Sequence, residues 1–137
     1  SEVGFGNVVK VLPGFRTIAD YMMSIGRDGS PLLSEAITVN VLSGITGSAS
    51  GGLSIALDSF GKEYLEWAQA HGTSAELLHR VASMASGGMD TLPHNGAVIT
   101  LLAITGMTHK QCYGDIFIIT LIKTSVVFIL IGFTMLF

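Results

Sequence analysis

Ser83 to Leu101 reads SMASGGMDTLPHNGAVITL, apolar at both ends and crowded in the middle with residues that a helix interior tolerates poorly. Gly87, Gly88 and Pro93 interrupt it, and Asp90, Thr91, His94 and Asn95 stand among them. In water such a stretch is a loop between two short helices. At membrane depth it is a broken helix, where freed backbone groups and ionisable side chains collect. Breaks of that kind are where secondary transporters hold substrate and coupling ion.

Composition decides for the membrane. Of 137 residues, 49% are hydrophobic and only 12% charged, and the mean hydropathy is +0.60. Soluble domains carry about 25% charged residues, so this chain has too little polar surface to cover a soluble globule. Seventeen glycines fit the same reading, since glycine is frequent in transmembrane helices. A net charge of -3 with no basic stripe argues against a nucleic-acid partner. The single cysteine, Cys112, excludes an internal disulfide and a multi-cysteine metal site. The chain opens SEVGFGNVV, with no initiator Met and no signal-peptide pattern. The expectation is a piece of a longer polypeptide.

The elements expected along the chain follow from this. Residues 1–29 read as a loop with an interfacial helix around 15–25. Residues 30–60 read as a re-entrant hairpin. Ser30-Pro31 starts its first arm, the small residues Thr46 to Gly52 turn it, and the apolar run Leu53 to Leu57 leads out. Each arm, about 15–22 Å at 1.5 Å per residue, is too short to cross a core of about 30 Å. A single tilted helix with a glycine-rich packing face is the competing reading. Residues 61–74 read as a polar connector, with Tyr64 and Trp67 as interface anchors. An interrupted transmembrane helix over 75–107 and a loop over 108–115 come next. A C-terminal transmembrane helix over 116–137 ends the chain. Lys123 is the one charge in that last run, placed where its ammonium could snorkel to the interface, with an inward-facing functional role as the alternative. The fold class is therefore all-α, membrane-embedded.

The break has a chemical logic. Pro93 removes a backbone donor, and the Gly87-Gly88 pair lets the backbone approach a ligand. Asp90 and His94 are the natural proton carriers, with Thr91, His94 and Asn95 as substrate-binding candidates. An unspecialised reading has Asp90 capping the second half-helix and His94 bonded to a carbonyl. The hairpin tip offers Thr46, Ser48 and Ser50 hydroxyls and the Gly47 and Gly51 backbone as a carboxylate cradle. Asn40 and Ser43 extend that polar face, and Glu35 is ambiguous. No metal-ligand or cofactor motif appears. Gly47-Ser48-Ala49-Ser50-Gly51 puts alanine where a nucleophile elbow needs serine. There is no P-loop and no H-E-x-x-H, so the expectation is not an enzyme.

GITGSASGGLSIAL (Gly44 to Leu57) followed by GGMDTLPHNGAVITLLAITGMTHKQCYGDIF (Gly87 to Phe117) resembles the C-terminal part of the gluconate permease (GntP-type) family, in the ion-transporter superfamily. The resemblance covers about residues 30–137. It implies a multi-pass transporter of the bacterial inner membrane, built from two inverted repeats, moving a small organic acid with a proton. The remainder of the transporter and the lipid bilayer would be its partners, with a homodimer as a candidate assembly. Gluconate carriers of the family bear a His-Val-Asn-Asp type sequence at this break, whereas this chain has Asp90-Thr91-Leu92-Pro93-His94-Asn95. Another hydroxy or short-chain carboxylate therefore stands beside gluconate as substrate. Sodium coupling through Asp90 and freed carbonyls is the alternative, and a non-catalytic membrane fragment is the third reading. On orientation, the basic residues Lys10, Arg16, Arg27, Lys62 and Arg80 would share a cytoplasmic face, while the resemblance puts the hairpin outside.

Overall fold

A computed structural model describes residue 8 and residues 11–26 and 29–136. All regular structure among them is helical: α1 (Pro13–Gly26), α2 (Pro31–Thr46), α3 (Ala49–Ala70), α4 (Ala75–Ser86), α5 (Gly96–Thr105) and α6 (His109–Leu136). Much of the N-terminal 1–29 stretch, with Lys10 and Arg27, lies outside the described residues. A helix does cover the expected 15–25.

Everything is arranged about α2. Pro31 sits at its first position, with Ser30 extended before it, and Leu33 and Ser34 donate to the Ser30 carbonyl. Its buried residues run round the whole cylinder, from Leu32, Glu35 and Ala36 to Val39, Leu42 and Ser43, the mark of a helix enclosed by neighbours. It stops at Gly47, whose φ of 62° lies in the left-handed region and whose N–H reaches the Ser43 carbonyl.

The chain then reverses within two residues. Ser48 caps α3 by accepting from the Gly51 N–H. Ser43 lies beside Gly52, and Thr38 bonds Tyr64 at 2.8 Å, so α2 and α3 run antiparallel as a helical hairpin. The backbones touch at Gly52, where an added Cβ would lie 2.3 Å from the Ser43 nitrogen. Ala36, Ala56, Ala68, Ala82 and Ala85 are buried in the shared core with Val39, Leu42, Ile55 and Val81. These small side chains let α2, α3 and α4 approach closely, and a larger residue at Ala82 would overpack them by about 1–3 kcal/mol.

Two element ends differ from the sequence expectation. Helix α3 continues through residues 61–70, where a polar connector is expected, so the second arm is 22 residues long. Polarity there marks an exposed helix face, not a helix end. Tyr64 and Ala68, four apart, turn inward, while Lys62 and Glu66 pair across one turn on the outside. Tyr64 is accordingly no interface anchor; it is fully buried, with its hydroxyl bonded to Thr38. Helix α6 begins at His109, earlier than expected, where the Gln111 side chain reaches back and accepts from the Thr108 N–H at 2.9 Å and from the Thr108 hydroxyl at 3.0 Å. At 28 residues it is the one described helix long and apolar enough to cross a membrane. Thr120, Val127 and Ile131 form its buried stripe, and Phe117, Ile118, Ile122, Ile129 and Phe133 are exposed.

Candidate functional site

The hairpin turn and the broken helix, 50 residues apart in sequence, meet. Helix α4 ends at Gly87, and residues 87–94 fold as successive turns before α5. Asn95 caps α5, its Oδ1 accepting from the Ala97 and Val98 N–H groups. Its Nδ2 donates to the carbonyls of Gly47 and Asp90. His94 donates from Nε2 to the Gly44 carbonyl at 2.8 Å, which fixes the proton on that nitrogen. Two side chains of the break thus read two carbonyls at the end of α2. The contact is close: a Cβ on Gly47 would lie 3.2 Å from His94 Cδ2, and one on Gly44 would lie 3.2 Å from Met89 Cβ.

Helix α6 closes the other wall. Lys123 Nζ lies 2.7 Å from Asp90 Oδ1, the two side chains 34% and 25% exposed. Thr91 and Thr120 share a hydrogen bond at 2.6 Å, and His109 donates to the Pro93 carbonyl at 2.9 Å. Lys123 therefore does not snorkel; its ammonium is held by the break. The signal for this was present in the spacing. Thr120, Lys123 and Thr124 lie at i, i+3 and i+4, a polar stripe on one face of an otherwise apolar helix.

Beneath the break, Gly88 lies against α2 and α6. A Cβ there would fall 1.9 Å from Asn40 Oδ1 and 3.1 Å from Thr124 Oγ1. Both oxygens are buried without a hydrogen-bond partner, and Asn40 is 3% exposed. Unsatisfied oxygens at such depth are costly. Glu35, 1% exposed with Oε2 unpartnered, sits near the other end of α2.

The candidate residues separate into distinct groups. Asp90 and His94 do not form a dyad, since one faces α6 and the other α2. Capping of α5 belongs to Asn95, not Asp90. In the turn, the Thr46 hydroxyl donates to the Leu42 carbonyl at 2.8 Å, and the Gly51 N–H is taken by Ser48 Oγ at 3.1 Å. Ser48 and Ser50 lie 3.3 Å apart through their hydroxyls. These groups serve first to build the turn. An open cleft of about 670 Å³ lies at the other end of α2, between Gly29–Leu32 and His71–Ser74. Its lining carries one ionisable side chain, His71, bonded to the Trp67 carbonyl. Among the described residues no cluster of three His, Cys, Asp or Glu is placed to hold a metal.

The chain is 55% identical, over 132 residues, to the "Uncharacterized transporter YxjC" of Bacillus subtilis (strain 168). The match covers 96% of this chain and 28% of that relative. No protein-family model matches the chain, and no solved structure does. Similarity to part of a transporter, joined to a 28-residue apolar helix whose surface is largely unburied, supports a membrane protein whose regular structure, among the described residues, is all helical.

Proposed function

We propose that this chain is the substrate-binding part of a secondary active transporter of the gluconate permease type. It carries a small organic acid, gluconate or another hydroxy or short-chain carboxylate, with a proton across the bacterial inner membrane. In this reading α2 and α3 enter and leave the bilayer on one side, α4 and α5 are the halves of an interrupted span, and α6 crosses. The observation that carries the reading is the docking of His94 and Asn95 on the Gly44 and Gly47 carbonyls. It joins a hairpin end to a helix break at one polar seam. Half-helix ends meeting at a point in a bilayer supply dipoles and freed backbone groups that bind a small anion and its coupling ion. Asp90 and His94 are the proton-bearing candidates, and Thr46, Ser48, Ser50, Gly51 and Thr91 border the seam.

Proton coupling is favoured over sodium by the Lys123 ammonium. It already pairs with Asp90 Oδ1, so a sodium ion on that oxygen would have to displace it. The test is uptake of labelled carboxylates into proteoliposomes holding the full-length protein, driven by a pH gradient without sodium. The proposal predicts uptake that Asp90→Asn abolishes and His94→Gln slows. Uptake that requires sodium would move coupling to the cation. A chain that transports nothing in any gradient would remove the reading altogether.

A further inference from the structure

We infer that Lys123 is the cation that receives the substrate's carboxylate, and that Asp90 holds its place while the site is empty. The inference rests on the carboxylate-transport reading and adds to it the charged group that reading lacks. An anion crossing a bilayer needs a countercharge, and the hairpin turn does not provide one, since its Gly51 and Gly52 N–H groups are bonded to Ser48. The other basic side chains described are elsewhere. Lys62 and Arg80 pair with Glu66 and Glu76 on exposed helix faces, and Lys110 is exposed in the first turn of α6. Lys123 alone stands on the inward stripe of an apolar helix, beside Thr120 and Thr124, with its ammonium at the break.

The charge count gives the mechanism. A lysine in the middle of an apolar helix must keep an anion beside it, because removing one member of a partly buried pair leaves the other uncompensated. In the empty site that anion is the Asp90 carboxylate, and the pair is neutral. A proton added to Asp90 Oδ1 breaks the ion pair and leaves Lys123 positive. The substrate carboxylate then takes Asp90's place on Nζ, and the site is neutral again. One proton and one carboxylate enter together, and both leave together when Asp90 gives up its proton and recaptures Lys123. For a monocarboxylate the carriage is therefore one to one and electroneutral.

The other charged and titratable groups near this exchange are few. His94 is engaged by the Gly44 carbonyl and His109 by the Pro93 carbonyl. Asp115 is exposed two turns before Lys123 on α6, and on α2 only Glu35 is ionisable. On α4, Glu76, His79 and Arg80 lie in the first half, away from the break.

The experiment uses the full-length protein in proteoliposomes with labelled gluconate, lactate and butyrate. Absence of uptake of all three by the unaltered protein would overturn the carboxylate reading itself. With the carboxylate that is taken up, Lys123→Met should weaken equilibrium binding about 100-fold, and Lys123→Arg should restore most of it. Asp90→Asn should still bind and exchange the carboxylate, with binding no longer dependent on pH and no accumulation under a pH gradient. Asp90→Asn with Lys123→Met should bind as poorly as Lys123→Met alone. Recovery of binding in that double variant would show the pair to be a structural tie and overturn the inference. Unchanged binding in Lys123→Met, or monocarboxylate uptake driven by membrane potential alone, would overturn it too. Thermal unfolding of each variant separates lost binding from lost folding.

Discussion

The hairpin turn at residues 46–52 and the break at 87–95 are both small-residue interruptions between helices, yet they spend their polar groups differently. Among the described contacts, the turn spends them mainly on building itself. Thr46 bonds the Leu42 carbonyl, Ser48 caps α3, and Gly47 takes the left-handed conformation that ends α2. The break spends its groups on other elements. Asp90 goes to Lys123, Thr91 to Thr120, His94 to Gly44 and Asn95 to Gly47. A self-satisfied turn is a fixed surface, whereas a segment held by partners on two sides can exchange them. In the proposed transporter the turn is the wall of the site and the break its working part.

The comparison is open to attack, and within the break the largest effect is expected at Gly88. Gly88→Ala places a methyl group 1.9 Å from Asn40 Oδ1, so the buried Asn40 side chain or the break must shift. We expect a loss of about 3 kcal/mol in stability and abolished transport, read by thermal unfolding and uptake of the full-length protein. Because the obstructing atom ends a side chain, Asn40→Ala should restore part of the stability. Gly87→Ala, whose methyl would meet nothing closer than the Met84 carbonyl at 3.7 Å, should leave both measurements near the unaltered protein.

Next come the caps on either side. Asn95→Ala removes the α5 cap and the donor to Gly47 together, and should cost about 2 kcal/mol. Ser48→Ala removes one cap bond within the turn and should cost about 1 kcal/mol. Equal losses in the two unfolding curves would erase the distinction between an inward-bonded turn and an outward-bonded break. The smallest effect belongs to Lys62→Ala on the exposed face of α3, which should stay within about 0.5 kcal/mol. A larger shift there would mean that the outer half of α3 is packed against something.

Much of this arrangement can be read in the residues. Glycine, proline and polar side chains inside an apolar run locate the break, and Ser30-Pro31 and Gly47-Ser48 locate the ends of α2. Two kinds of information are hidden. Polarity alone does not tell a connector from an exposed helix face, so the extent of α3 through Ala70 depends on Tyr64 and Ala68 facing inward, which only packing reveals. A lone lysine in an apolar helix can turn outward or inward, and Asp90 as its partner lies 33 residues away. The Thr120, Lys123 and Thr124 spacing carries that direction for a reader who weighs the face and not the charge. No pattern within any one segment brings Asn40, Gly88 and Thr124 together, since that is set by how α2, the break and α6 pack.

The central claim is that substrate sits at the break, bordered by the turn on one side and by Lys123 of α6 on the other. The direct measurement is substrate protection of single cysteines against a membrane-permeant thiol reagent, in full-length protein with Cys112→Ser as background. Ser50→Cys at the turn and Thr91→Cys in the break would be compared with Thr73→Cys in the cleft at the other end of α2. The account predicts that the transported carboxylate slows labelling at positions 50 and 91 and leaves position 73 unaffected. Protection at position 73 with none at 50 and 91 would place the substrate in the distal cleft and contradict the account.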